Sequence, residues 1–197
     1  MAFPKYNKVT HSSYETLPRG AYVIKIMSAV EDTYPSGDRC IRIAFDIAEG
    51  EYAGIYERNY NADTREDKQW PFDAVYTLTV PNDNSKGYIW TNWFSFFSNL
   101  EDSNNGFVFD AESGNLKTLK GKLLGGKFAI RQTEKGGTIY DHTQLRWTCV
   151  ADDIREGHPG KMPNDKLLEP APSTRPAVPS DDFVSVPEGL DDELPFA

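Results

Sequence analysis

Arg39-Cys40-Ile41-Arg42-Ile43-Ala44-Phe45-Asp46-Ile47 alternates without a break, placing Ile41, Ile43, Phe45 and Ile47 on one face and Cys40, Arg42, Ala44 and Asp46 on the other. A period of two belongs to a strand with one buried side. Upstream, Ala21 to Val30 alternates in the same way, and the intervening Tyr34-Pro35-Ser36-Gly37-Asp38 is turn chemistry, so the two runs predict a β-hairpin. A second turn, Glu49-Gly50-Glu51, leads to Ile55 to Asn61, read as a third strand. After the polar loop Ala62 to Gln69, a further extended run, Ala74 to Val80, reads as an insertion.

From Lys86 the period changes. Trp90, Trp93, Phe94, Phe97 and Leu100 follow the spacing of one helical face, and Asn104-Asn105-Gly106 stops it. Rings at helical spacing fill cores far more often than they stack on bases, so this stripe is assigned to the core. Two more strands follow, Lys127 to Thr133 and Thr138 to Val150, joined through Gly136-Gly137, whose freedom at positive φ suits a tight hairpin. The order predicts a mainly β fold, a five-stranded OB-fold-like antiparallel barrel with one helix between strands three and four. Another small antiparallel α+β fold would give a similar string.

The 197 residues carry 21 Lys+Arg and 30 Asp+Glu, a formal net charge of -9. Residues 162 to 197 hold -6 of it, leaving -3 for the rest, and residues 116 to 150 are locally basic at +5. Pro, Ser and acid dominate beyond Met162, which sets an expected boundary between a folded domain, residues 1–160, and a disordered acidic tail, residues 161–197. No run approaches the roughly 20 apolar residues of a membrane span, and no signal-peptide pattern opens the sequence. Cys40, Cys149, His11, His142 and His158 lack metal-ligand or disulfide-scaffold spacing. Phosphate-cradling loops, the nucleophile elbow and the zinc-protease motif are missing. The carboxylates of Glu66-Asp67 and Asp152-Asp153 point to opposite sides of an extended chain. An enzyme is therefore disfavoured, and no cofactor or metal is implied.

Binding chemistry is present instead. The third expected strand puts Tyr56, Arg58 and Tyr60 on one face. The last strand puts Tyr140, His142, Gln144 and Arg146 outward, with Leu145, Trp147 and Cys149 inward. Across the hairpin, Lys127, Ala129 and Arg131 face outward beside the inward Phe128 and Ile130, and Arg42 is the matching cation on strand two. Rings that stack on any base, with cations that neutralise the backbone, are what a single-strand binder needs. The expected DNA-binding residues are thus Arg42, Tyr56, Arg58, Tyr60, Lys127, Arg131, Tyr140 and Arg146.

The sequence closes with Asp191-Asp192-Glu193-Leu194-Pro195-Phe196-Ala197, and Asp181-Asp182-Phe183 looks like a weaker second copy. This end resembles the tails of bacterial single-stranded DNA-binding proteins, which finish in several Asp, an aliphatic residue, Pro and Phe; here Ala197 follows the Phe. The resemblance implies that Asp191, Asp192, Glu193, Leu194, Pro195 and Phe196 recruit replication and recombination proteins. The upstream part is similar to a phage and prophage family associated with replication and recombination modules, long catalogued as a domain of unknown function. The similarity is carried by Leu17-Pro18-Arg19-Gly20-Ala21-Tyr22, Phe45-Asp46-Ile47-Ala48-Glu49-Gly50-Glu51-Tyr52-Ala53-Gly54 and Asp153-Ile154-Arg155-Glu156-Gly157. It implies an OB-fold protein that coats single-stranded DNA in the cytoplasm of an infected bacterial cell; the sequence leaves an oligomer possible without giving its state. Two alternatives stand beside it: an adaptor module that binds no nucleic acid, and a metal-dependent nuclease, which would need about four carboxylates to converge.

Overall fold

The structure is a computed structural model that describes residues 14–168. The tail residues Asp191, Asp192, Glu193, Leu194, Pro195 and Phe196 lie outside the described residues. Strands β1 (Gly20–Thr33) and β2 (Arg39–Ile47) form the expected antiparallel hairpin, from Ile24 opposite Ile47 to Thr33 opposite Arg39. With β3 (Val75–Thr79), β4 (Leu123–Lys135) and β5 (Thr138–Cys149) they make one five-stranded sheet, ordered β3-β2-β1-β4-β5, with every neighbouring pair antiparallel. The chain meanders through β1, β2 and β3, then returns to lay β4 beside β1, which is Greek-key order. Among the described residues no ladder joins β3 to β5, so the sheet is not closed.

The residues named as the inward face of β2 are buried, with Ile41, Ile43, Phe45 and Ile47 all at or below 3% exposure. Cys40 and Asp46, expected outward, are buried as well. Phe45 sits at the centre, edge-on to Tyr56 and to Phe128, each ring centroid 5.8 Å away. Burying one such ring contributes about 1.5–3 kcal/mol. The β4–β5 turn is Gly136-Gly137, at φ 60 and 78, as the hairpin requires.

The third expected strand is instead a short helix, α1 (Ile55–Ala62). Its buried residues, Ile55, Tyr56 and Asn59, follow helical spacing, and the buried carboxylate of Asp46 on β2 accepts the amides of Tyr56 (3.0 Å) and Glu57 (2.9 Å) at its first turn. Eight residues form little helix by propensity alone, so this cap from another element and the packing of Tyr56 hold it. The run read as an insertion supplies β3 in its place. Helix α2 (Gly87–Asp102) therefore does lie between the third and fourth strands. At its end Asn104 donates to the carbonyls of Leu100 and Leu123, both at 2.7 Å, and accepts the Leu123 amide, which fixes where β4 begins.

Only part of the expected ring stripe on α2 is core. Phe96, Phe97 and Leu100 are buried and Trp93 is half-buried, but Trp90 and Phe94 stand 37% and 61% exposed. Six rings between Tyr88 and Phe97 wrap more than half of the helix circumference, and the sheet covers one side of it. A last short helix, α3 (Ala151–Arg155), is tied to the β2–α1 turn by Arg155 and Glu49.

The folded unit continues past residue 160. Beyond the start of β1, where Gly20 faces Phe128, the amide of Lys166 donates to Ile130, and its carbonyl accepts from Gln132, prolonging the sheet next to β4. Arg19 pairs with Asp165 at 3.3 Å and donates to the Pro163 carbonyl. The expected boundary at residue 160 thus falls short of a segment held by main-chain hydrogen bonds.

Candidate nucleic-acid interface

Arg42, Arg131 and Arg146, expected on separate strands, line one cleft of about 430 Å³. It opens where β3 and β5 face each other without pairing, and Tyr34, Phe72 and Tyr76 contribute rings to its wall. An adjoining cleft of about 250 Å³ shares Tyr76, Asn92 and Arg146 with the first and adds Lys127 and Trp147. Four of the eight expected residues therefore meet along the open seam of the sheet. Tyr76, half-buried, stacks on the core ring of Phe96 at 6.1 Å and 17°, which fixes its orientation. Burial pushes its phenol up to about 12, with Arg146 acting the other way, so a neutral ring faces the cleft.

Trp147 was expected inward and is 43% exposed. Lys127 pairs with Trp147 but Phe128 pairs with Leu145, leaving Arg146 as an extra residue in β5. Such a bulge re-aims the side chains that follow it, and here it presents Arg146 and Trp147 on the same cleft. Gly126 makes the turn-out tolerable on the inner side, since a Cβ there would lie 2.9 Å from Phe128 and 3.0 Å from Leu145.

The cations differ in how they are engaged. Among the described residues, Arg131 and Arg146 have no carboxylate partner, whereas Arg42 is 3.2 Å from Asp32. The Thr33 amide and then Arg42 lower the Asp32 carboxyl below its ordinary value. Lys127 donates to the Lys161 carbonyl at 3.3 Å. At one end of the seam, His142 bridges Asp73 (3.3 Å) and Thr133 (3.0 Å), linking the 3₁₀ turn Phe72–Ala74 to β4 and β5.

The other expected residues lie elsewhere. Tyr56 is 4% exposed, packed on Phe45, and its hydroxyl is buried without a hydrogen-bond partner. Arg58, on α1, is engaged by Glu15 at 2.7 Å, and Tyr60 packs on Trp70 at 5.7 Å with Lys68 over its ring. Tyr140 is exposed on β5 opposite Thr133, near the hairpin end, and lines neither cleft. The shared strand face of Tyr56, Arg58 and Tyr60 does not exist, because those residues are helical.

No family model matches this chain, and no curated protein matches it significantly. Among the described residues no group of three or more His, Cys, Asp or Glu is placed to hold a metal ion. No helix among them is long and apolar enough to cross a membrane. Cys40 and Cys149 are both buried and free.

Proposed function

We propose that the protein binds single-stranded DNA with little sequence preference along the seam between β3 and β5, in replication or recombination of phage DNA within the bacterial cytoplasm. The observation that carries this reading is the meeting of Arg42, Arg131, Arg146 and Lys127 with Phe72, Tyr76 and Trp147 around two continuous clefts. Rings accept any base face, while cations along the groove neutralise phosphates, so the combination favours a single strand over a duplex. The Greek-key order supports an OB-type reading, in which a five-stranded barrel is left partly open. In this reading residues 191–196 recruit replication and recombination proteins.

The test is titration of the full chain with oligo-dT at several salt concentrations, read by tryptophan fluorescence. If the four cations each neutralise a phosphate, the log-log slope is about -3, at roughly -0.7 per contact. Equal affinity for duplex and single strand, or no binding at low salt, overturns the proposal. That second result would favour an adaptor module, a reading that gains from the net charge of -3 on the residues upstream of 162. Phe196→Ala is the companion variant, expected to lose captured replication proteins in a pull-down while keeping its DNA affinity.

A further inference from the structure

Main-chain pairing does not hold the seam together, since among the described residues no ladder joins β3 to β5. Side chains span it instead. Towards the Cys149 end of β5 the bridge is α2, where Asn99 donates to the Thr148 hydroxyl at 3.1 Å and Phe96 stacks on Tyr76 of β3. Nearer the hairpin tip the bridge is direct. His142 Nδ1 lies 3.2 and 3.3 Å from the two carboxylate oxygens of Asp73, and Nε2 lies 3.0 Å from the Thr133 hydroxyl. An ionised carboxylate only accepts, so Nδ1 carries a proton and donates it. With both ring nitrogens engaged, the imidazole is held in one orientation.

We propose that the His142–Asp73 contact is the tie that sets the width of the seam at this end, and so presents Phe72 and Arg131 to a DNA strand at a fixed spacing. The positioning role rests on the reading of the seam as the DNA site. His142 and Asp73 act through their neighbours, because neither lines either cleft. Asp73 follows Phe72 in the turn Phe72–Ala74, and His142 stands opposite Arg131 across the β4–β5 ladder. Phe72 and Arg131 both line the larger cleft, one from the β3 side and the other from the β4–β5 side. Phe72 is 68% exposed, and its ring meets the His142 imidazole edge-on at 6.3 Å and 80°. The flanking anchors of its segment belong to β2: the Trp70 indole donates to the Phe45 carbonyl at 3.2 Å, and Val75 pairs with Ala44. Neither anchor fixes the distance to β5. A ring and a cation already held at their working spacing spare a bound strand the cost of ordering them.

Amide hydrogen exchange of the full chain without DNA, followed by NMR, tests the tie. The amides of Ala74 and Val75 donate to the carbonyls of Pro71 and Phe72 within the turn. His142→Ala and Asp73→Ala are each expected to speed their exchange by about tenfold or more, while the amides shared by β1 and β2 keep their protection. Asp73→Asn retains an acceptor for the Nδ1 proton and should restore most of the protection. Oligo-dT titration of the same variants tests the positioning role. His142→Ala and Asp73→Ala should bind about two- to tenfold more weakly than wild type. In a chain already carrying Phe72→Ala and Arg131→Ala, they should cause no further loss, because nothing remains for the tie to position. Unchanged exchange at Ala74 and Val75 in both single variants, or an undiminished loss of affinity in the doubly substituted background, overturns the proposal. A wild type that fails to bind oligo-dT overturns the DNA reading and the positioning role together; a wild type that binds, with His142→Ala and Asp73→Ala binding equally well, overturns the positioning role alone.

Discussion

Trp147 stands opposite Lys127 across the β4–β5 ladder because β5 carries one residue more than β4 at that point. The extra residue, Arg146, is itself exposed, so a ring and a cation adjacent in sequence reach the same cleft. Strict alternation would have buried one of them.

This arrangement separates the roles of the two side chains. Trp147→Ala should weaken oligo-dT binding by about 1–3 kcal/mol, the worth of one stacked base, and leave the salt slope unchanged. Arg131→Ala or Arg146→Ala should instead make the slope shallower by roughly 0.7 each. Fluorescence titrations of the three variants at several salt concentrations make the comparison.

Tyr56 should behave as a core residue. Tyr56→Ala removes a buried ring and is expected to cost about 3–5 kcal/mol in urea denaturation. Tyr56→Phe removes a buried hydroxyl that lacks a partner, and is expected to stabilise the fold by about 1 kcal/mol. Either variant, where folded, should bind oligo-dT as wild type does.

Asp46 holds two elements together through one carboxylate. Asp46→Ala strands the amides of Tyr56 and Glu57 that it accepts, with an expected loss of about 2–4 kcal/mol. Asp46→Asn keeps one acceptor oxygen and should fall between that variant and wild type in the same urea series.

Acid should expose the Asp63–Arg65 pair. Arg65 donates to both carboxylate oxygens of Asp63, at 2.6 to 3.0 Å, and holds that carboxyl down to about 2 against an ordinary 3.8. The folded-state value lies below the unfolded one, so the contact's contribution is complete above about pH 4 and is lost as the pH falls towards about 2. Melting temperature followed by circular dichroism should therefore drop less steeply across this window in Asp63→Asn than in wild type.

Both hairpins and the long helix were legible because each is specified by residues close in sequence: alternation in β1 and β2, Gly136-Gly137 between β4 and β5, and ring spacing in α2. Ile55 to Asn61 was misread because a seven-residue window satisfies period two as readily as helical spacing. The decisive group, Asp46, lies on another element. Val75-Tyr76-Thr77-Leu78-Thr79, richer in β-branched and aromatic residues, was the better strand candidate. Of the candidate site, Arg42, Lys127, Arg131 and Arg146 were read from outward positions on strands. Trp147 was not, since a bulge depends on the residue count of the partner strand. Tyr34 and Phe72 come from a turn and a 3₁₀ segment, where no periodicity reports which way a side chain faces.

The sheet consists of two locally paired pieces, the β1-β2-β3 meander and the β4–β5 hairpin, joined by one ladder that sets Gly20 to Lys25 against Phe128 to Leu123. Those partners lie about a hundred positions apart, so closing this ladder carries a larger chain-entropy cost than forming either piece. Closure of this ladder is therefore the expected slow step of refolding. Shortening Ile24 or Leu124, which meet across that ladder, should slow refolding, whereas shortening Ile139 at the hairpin tip should act mainly on the unfolding rate. The open seam thus lies between two pieces of chain joined by this long-range ladder, whose closure is the expected slow step of refolding.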